Sequence, residues 1–130
     1  MRQDTGIIPL RILIAGDVAS IRHELSTLLS LAGDFQVAGE AANAREALLM
    51  SGILTPDAVV MDLEIAGFNG LDAIREIKAL YPAIRIVALS MHGGPGYRCR
   101  ALESGADSFL VKGTAPDALF AAIREIKPDI

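Results

Sequence analysis

The chain has 130 residues, which is enough for one domain of the usual size and leaves little room for a second. Apolar residues make up 52% of it, far above the composition of a disordered chain, and a formal net charge of −4 argues against direct binding to a nucleic-acid backbone. The single cysteine, Cys99, cannot form an internal disulfide, and no uncharged apolar run approaches the roughly 18 residues that span a bilayer. We therefore expect a cytoplasmic protein that does not enter the membrane.

Five short apolar runs alternate along the chain with longer segments of helical periodicity. These runs predict strands over residues 10–15, 35–39, 58–61, 84–89 and 108–111. Three of them, ILIA, AVVM and IVAL, have no polar alternation, which is typical of strands covered by helices on both faces. The run at 35–39 alternates with Gln36 and is predicted to be an edge strand.

The first two helices have clear start and stop signals. Ser20 is predicted to be the N-cap of the first helix, and Gly33 is predicted to end it. Asn43, with Glu46 three residues later, predicts the start of the second helix, and Pro56 prevents its extension.

Three more helices follow. The third repeats Leu71, Ile74, Ile77 and Leu80 before Pro82, and the fourth is predicted over roughly 96–104, after a glycine-rich run. Thr114, with Asp117 three residues on, predicts the start of a fifth helix, whose buried stripe is Leu119, Ile123 and Ile126. Strand and helix alternate five times with short connections, which predicts one open parallel α/β sheet with right-handed crossovers. Residues 1–9 are predicted to be a tail and 10–130 the domain.

Ligands of open α/β sheets bind beyond the carboxyl ends of the strands, so the residues at these ends are the candidates for a site. They are Asp17, Glu40, Asp62, Ser90 and Lys112. Apart from Glu40 on the edge strand, they are predicted to converge. Each taken alone is more often a turn former, a helix cap or a solvated side chain. Their coincidence at one end of a sheet favours a site.

The expected chemistry follows from the charges. Two close carboxylates repel each other unless a cation lies between them, and a hard divalent ion with oxygen ligands, best Mg²⁺, suits Asp17 and Asp62. Magnesium leaves coordination positions open for a phosphoryl group. Asp62 is then a candidate nucleophile that forms an aspartyl phosphate, while Lys112 and Ser90 stabilise the phosphoryl oxygens.

These residues also resemble those of a known family, the receiver domains of two-component response regulators, from about residue 10 to residue 126. The segment MDLEIAGFNG is similar to the family's phosphorylation segment. The resemblance makes Asp62 the counterpart of the phosphoryl-accepting aspartate, and Glu64 the residue whose backbone carbonyl completes the metal site. Asp17 corresponds to the second of the two acidic residues that follow the first strand.

Two further motifs carry the resemblance. Ser90 in ALSMH matches the serine or threonine of the fourth strand, and Lys112 in FLVKG matches the lysine after the fifth. Phe109 occupies the position of the aromatic switch, so Ser90 and Phe109 are implied to rearrange together. The side chains of Glu64 and His92 lie where the family tunes the loss of the phosphoryl group.

The resemblance implies a fold, a mechanism and partners. The fold is a doubly wound five-stranded parallel sheet in the order 2-1-3-4-5, the flavodoxin-like receiver fold. The mechanism is phosphoryl transfer from a sensor histidine kinase onto Asp62, which alters the surface of helix four, strand five and helix five. Similar proteins use that surface to form homodimers or to hold an output domain. The segments EAANAREAL and ALESGADSFLVK are most like receivers that precede a helix-turn-helix domain. We therefore expect control of transcription, with DNA reached only through an output domain absent from this chain.

The sequence also departs from the family pattern. Gly16 stands where a second acid is common, so one water-mediated support of the metal is missing, and Ala66 stands where proline is frequent. Gly16 favours an alternative, a degenerate receiver that binds partners without being phosphorylated. A second alternative is a small magnesium phosphatase, because Asp62, Leu63 and Glu64 form an acid-x-acid motif. The leading hypothesis is a signalling domain rather than an enzyme.

Overall fold

A computed structural model describes residues 8–65 and 70–125, in which five strands alternate with five helices. Strands β1 to β5 span Leu10–Ala15, Phe35–Ala41, Ala58–Asp62, Arg85–Ser90 and Ser108–Val111. Helices α1 to α5 span Ala19–Ala32, Ala44–Leu54, Gly70–Leu80, Pro95–Ser104 and Pro116–Arg124. Ala66 and Ile126 lie outside the described residues, as does most of the predicted tail. None of the helices in the described part of the chain combines the length and apolar character needed to cross a membrane.

The strands form one parallel sheet in the order β2-β1-β3-β4-β5, as predicted. The β2 strand lies at the edge, and its register with β1 shifts once, between Ile12 and Leu13. Strands β2, β3 and β4 end one or two residues later than their apolar runs suggest, because ladder pairing with a neighbouring strand continues beyond these runs. Asp62 pairs with Leu89 and Ser90 with Val111, so both predicted site residues are the last residues of their strands. Glu40, predicted to follow β2, lies inside it.

Two helix ends match their sequence signals. Gly33 ends α1 in the left-handed conformation with φ of 91°, which favours glycine. The Asn43 side chain accepts a hydrogen bond from the Glu46 amide at 2.8 Å, and the Glu46 carboxylate accepts one from the Ala42 amide at 2.8 Å. The predicted start of α2 is therefore confirmed.

The N-caps predicted for α1 and α5 are wrong. Ser20 lies inside α1, whose N-cap is Val18 and has no side-chain hydrogen bond. The Thr114 hydroxyl donates to the Val111 carbonyl in the preceding turn, and α5 begins one residue later than predicted, at Pro116. Proline at the first helical position has its φ preset for a helix and needs no amide partner, so α5 starts without a side-chain cap. The α4 helix likewise begins at a proline, Pro95.

Apolar side chains fill both faces of the sheet. Alternate β1 residues point to opposite sides: Leu13 packs among the buried residues under α2, α3 and α4, and Ile12 packs among those under α1 and α5. The largest fully buried side chains are Ile12, Leu13, Ile14, Leu29, Met61, Ile74, Ile77, Ile86, Ile123, Val59, Val60 and Val87. This two-sided core holds the carboxyl ends of the central strands in a common edge.

Leu29 and Leu31 of α1 allow a matched test of this core, because Leu29 is 0% exposed and Leu31 is 78% exposed. Leu29→Ala is expected to lower the free energy of unfolding by about 2–5 kcal/mol, through lost apolar burial and the cavity left behind. Leu31→Ala is expected to change it by less than about 0.5 kcal/mol. Urea denaturation measures both. Equal effects of the two substitutions would contradict this assignment of the buried face.

Candidate functional site

Asp62 and Lys112 meet at the carboxyl edge of the sheet, as predicted. Asp62 ends β3 and is 8% exposed, while Lys112 directly follows β5. The Lys112 Nζ lies 2.8 Å from Asp62 Oδ1. The Lys112 backbone amide also donates to the Ser90 carbonyl at 2.8 Å, which ties the end of β5 to the end of β4. A buried carboxylate and a half-buried ammonium are thus held as an ion pair by the sheet.

The two oxygens of the Asp62 carboxylate have different surroundings. Oδ1 accepts hydrogen bonds from Lys112 Nζ and from the Glu64 backbone amide, the latter at 2.8 Å. Oδ2 faces the end of β1, where a Cβ atom added to Gly16 would lie 3.6 Å from it. Asp17 is the next residue after Gly16, so it belongs to the turn that adjoins this side of Asp62.

The Glu64 side chain folds back over the strand ends. Its Oε2 accepts a hydrogen bond from the Ser90 hydroxyl at 2.9 Å, and its Oε1 accepts one from the Met91 amide at 3.0 Å. Lys112 Nζ lies 3.0 Å from the same Oε1, so one ammonium contacts both Asp62 and Glu64. These side-chain contacts were not predicted. An acid two residues beyond β3, at the same sheet edge as a lysine that follows β5, is a signal in the sequence that could have indicated them.

Ser90 ends β4, and His92 lies on the loop that follows it. Ser90 is fully buried, and its hydroxyl donates to Glu64 and accepts from the His92 amide at 3.0 Å. The His92 ring stacks on Tyr97 of α4, with 4.7 Å between ring centroids. Ser90 therefore reaches the site through Glu64, whereas the His92 imidazole packs against the start of α4.

Asp17 lies beside the site in the chain but does not join its hydrogen-bond network. Its side chain is exposed, and it forms no hydrogen bond or ion pair with any residue that the structure describes. The preceding turn is instead fixed by Arg22, which donates to the Gly16 carbonyl at 2.6 Å and to Glu40 at 3.1 Å. Sequence reasoning missed Arg22. Arg22 is the ion-pair partner of Glu40, which therefore points to this arginine and not to Asp62.

Phe109 lies three residues before Lys112, in β5 opposite Ala88. Its ring is buried, 7% exposed, among the residues under α2, α3 and α4. The Phe109 side chain thus packs in the core next to β4, two residues before that strand ends at Ser90.

The charges at the strand ends stabilise one another. Burial lowers the pKa of Lys112, but hydrogen bonds to Asp62 and Glu64 outweigh this effect and hold the pKa above its ordinary value. Burial raises the pKa of Glu64, but the Met91 amide, Lys112 and the Ser90 hydroxyl outweigh it and hold the pKa below its ordinary value. The site at neutral pH therefore contains ionised Glu64 and protonated Lys112, and Lys112 is shared with Asp62.

The oxygen donors near Asp62 suit a hard divalent cation. Within residues 8–65 and 70–125, no three acidic, histidine or cysteine side chains are grouped closely enough to hold a metal by themselves. The ligands expected from the sequence are the carboxylates of Asp62 and Asp17 and the backbone carbonyl of Glu64. Such a sparse set of oxygen ligands fits Mg²⁺, which keeps several waters and phosphate oxygens as ligands.

A pocket of about 420 Å³ adjoins the site between α1 and α5. Asp62 and Lys112 line one end of it, and the rest is mostly apolar, with Val18 and Ile21 of the first helical turn and Leu119 of α5. The Asp62 side chain, 12% exposed, is thus one of the few polar groups that line this pocket.

Replacing Lys112 tests whether it controls the ionisation of Glu64. In Lys112→Met, the pKa of Glu64 is expected to rise, because burial remains and the ammonium is lost. Carbon-13 NMR titration of the Glu64 carboxyl in magnesium-free buffer measures this. Since its pKa is lower in the folded chain, ionised Glu64 stabilises the fold above its ordinary pKa, and this contribution disappears as the pH falls through the folded value.

The control is Lys78→Met, which removes an α3 lysine paired at 3.1 Å with Asp107, just before the start of β5. It should leave the pKa of Glu64 unchanged. An unchanged Glu64 titration in Lys112→Met would contradict the assigned electrostatic coupling.

Comparison with known proteins agrees with the fold and the strand-end motifs. A family model described as "Response regulator receiver domain" matches residues 12–124. The chain is 37% identical over 116 residues to the chemotaxis protein CheY of Thermotoga maritima, covering 89% of this chain and 96% of that protein. It is 32% identical over 117 residues to the nitrate/nitrite response regulator protein NarL of Escherichia coli.

The NarL match covers 90% of this chain but 54% of NarL, so the chain spans about half the length of that regulator. Among solved structures, a two-component response regulator of the LuxR family from Aurantimonas sp. superposes with a TM-score of 0.87 at 34% identity. That match covers 92% of this chain and 85% of the other. Both whole-length and partial relatives therefore align over the same unit of alternating strands and helices.

Proposed function

The chain belongs to the family of response regulator receiver domains, and from that premise we propose that it accepts a phosphoryl group on Asp62 from a sensor histidine kinase. The observation that carries the proposal is the ion pair of the nearly buried Asp62 with Lys112, at 2.8 Å, at the carboxyl edge of the sheet. The adjoining pocket between α1 and α5 supports access of a phosphoryl donor to Asp62.

The proposed step moves one phosphoryl group between two residues. A carboxylate oxygen of Asp62 attacks phosphorus and forms the new O–P bond while the P–N bond to the kinase phosphohistidine breaks. The leaving nitrogen takes the electron pair of that bond, and a proton on the other ring nitrogen makes the departing imidazole neutral. Charge spreads over the equatorial phosphoryl oxygens during transfer. We propose that Lys112 balances this charge, and that Ser90 donates a hydrogen bond to a phosphoryl oxygen once it is released from Glu64.

Receiver domains bind Mg²⁺ at their phosphorylation site. In this chain, we propose that Asp17, Asp62 and the backbone carbonyl of Glu64 hold the ion. When bound, it neutralises the repulsion between the carboxylates and the incoming phosphoryl oxygens. Gly16 contributes no carboxylate, so Asp17 carries the acidic contribution of this turn alone.

Asp17→Asn tests this metal assignment. The substitution is expected to raise the dissociation constant for Mg²⁺ by about tenfold or more, because a charged oxygen ligand becomes a neutral one. Magnesium titration followed by the amide signals around Asp62 measures the constant. Asp72→Asn, an exposed acid on α3, is the matched control and should bind Mg²⁺ as the wild type does. Equal affinity of the two variants would contradict a role for Asp17.

The proposed output is a change in the surface formed by α4, β5 and α5. Ser90 and Phe109 are the proposed switch residues, since Ser90 ends the strand that leads toward α4 and Phe109 lies on the paired strand β5. Glu64 and His92 are proposed to modulate the lifetime of the phosphoryl group. Similarity to NarL supports control of transcription as the purpose, with homodimer formation as one means and DNA bound by an output domain. The cytoplasm stays the predicted compartment.

Incubation with magnesium and phosphoramidate is expected to add the mass of one phosphoryl group to the intact protein. Asp62→Asn should abolish the gain, because an amide is not a nucleophile for this step. Asp72→Asn should retain it. Intact-protein mass spectrometry measures all three proteins, and phosphorylation of Asp62→Asn to the wild-type extent would reject Asp62 as the acceptor.

Two observations favour a second candidate function, a degenerate receiver that binds partners without phosphorylation. Gly16 removes one acid from the metal site, and the donors of Ser90 and Lys112 are already engaged by Glu64. This candidate predicts no mass gain and no response to Mg²⁺ or beryllium fluoride. The phosphorylation experiment therefore separates the two candidates.

A signalling role is also favoured over the small phosphatase suggested by the acid-x-acid motif. Receiver domains are mostly signalling modules. A phosphatase of that kind needs a second acid that protonates the leaving group. Glu64 is unsuited to this, because its hydrogen bonds hold its pKa below the ordinary value and keep it ionised.

A further inference from the structure

Three hydrogen-bond donors at the carboxyl edge converge on the carboxylate of Glu64. They are the Ser90 hydroxyl at 2.9 Å, the Met91 backbone amide at 3.0 Å and the Lys112 ammonium at 3.0 Å. They come from the ends of two different strands. A convergent hydroxyl, amide and ammonium form an anion site, which in this chain is filled by the chain's own carboxylate.

The anion site adjoins Asp62. Lys112 Nζ contacts Asp62 Oδ1 and Glu64 Oε1 simultaneously, so the Glu64 carboxylate lies beside the space into which a group bonded to Asp62 would project. A phosphoryl group has three oxygens that need such donors. We propose that Glu64 is an internal ligand that occupies the phosphoryl-oxygen donors and has to leave them before Asp62 is phosphorylated. This inference rests on the proposed function and adds a regulating residue to it.

The local backbone explains why Glu64 is the movable member of this set. A tight turn after β3 is fixed by hydrogen bonds from the Leu63 amide to the Leu89 carbonyl at 2.8 Å and from the Ile65 amide to the Asp62 carbonyl at 3.2 Å. Ile65 is buried and anchors the turn. The Glu64 side chain lies at the rim, 35% exposed, and can rotate into solvent, whereas Ser90 is fully buried.

The Glu64 carboxylate and a phosphoryl group are both negatively charged, so only one of them can occupy these donors. Asp62 and Glu64 already share one ammonium, and a phosphoryl group adds negative charge at the same place. Retaining Glu64 beside it would set two anions against one set of donors. Glu64 therefore slows phosphoryl acceptance, and its removal makes Ser90, Met91 and Lys112 available at once.

The test compares the wild type with Glu64→Ala, Glu64→Gln and a control, Glu76→Ala, an exposed acid on α3. Alanine removes the internal ligand but keeps the backbone carbonyl proposed for Mg²⁺. Glu64→Ala is expected to take up phosphoryl from phosphoramidate about tenfold faster or more, in keeping with the loss of charge-assisted hydrogen bonds that hold the donors. Glu64→Gln, which keeps an acceptor without the charge, should lie between, and the control should match the wild type.

A second readout needs no phosphorylation. Without any phosphoryl group, the Met91 amide should exchange its hydrogen faster in Glu64→Ala than in the wild type or the control, measured by NMR. Adding Mg²⁺ and beryllium fluoride should restore protection in Glu64→Ala, because the added anion then occupies the vacated donors.

Faster uptake by Glu64→Ala supports the inference, as does uptake by this variant when the wild type takes up none. Wild-type uptake and wild-type Met91 exchange in Glu64→Ala would overturn the inference alone and leave the proposed function standing. No uptake and no beryllium fluoride response in any of the four proteins would overturn the proposed function, and the inference with it.

Discussion

The shared ammonium of Lys112 is the interaction on which the site depends. It lies within 3.0 Å of two carboxylates that come from one short segment, Asp62 and Glu64. Two carboxylates on one cation repel each other less than they would without it. The lysine contacts both carboxylates, and it can do so because parallel strands deliver β3 and β5 residues to the same edge with β4 between them.

The order of the strands, and hence the edge at which their ends meet, is the feature of the structure that the sequence predicts best. Uninterrupted apolar runs such as AVVM and IVAL can only be buried on both faces, which predicted the central parallel strands, and the alternation of Gln36 predicted the edge. Helix ends were predictable where a local rule acts alone, as for Gly33 and the Asn43 cap. They were wrong where a proline at the first position made a side-chain cap unnecessary, as for Thr114.

The site residues likewise fall into those whose positions follow from a simple rule and those whose contacts depend on the folded structure. The strand ends alone predicted that Asp17, Asp62, Ser90 and Lys112 converge. Of these, Lys112 contacts Asp62, and Ser90 is linked to Lys112 through Glu64. Periodicity does not predict the direction of a side chain that lies beyond the end of a strand, so the contacts of Glu64 with Ser90 and Met91 were missed. These contacts depend on the turn that follows Asp62 and on the Met91 amide, which is available only once the loop after β4 has folded. Asp17 shows the reverse. Its place beside β1 was predicted, yet its carboxylate forms no hydrogen bond or ion pair with the residues that the structure describes.

Gly16 and Glu64 together change what the acidic residues of this edge can do. A carboxylate at position 16 would lie next to Asp62 Oδ2, on the side where a metal is proposed to bind, whereas Glu64 lies on the opposite side, on Lys112. The chain thus has less negative charge for the metal and more on the phosphoryl donors. A cation bound by Asp17 and Asp62 draws charge toward β1, and a phosphoryl group needs the donors that Glu64 holds. Under the proposed function, metal binding and release of the Glu64 side chain are therefore separate requirements, because the Gly16 turn and the Glu64 carboxylate lie beside different oxygens of Asp62.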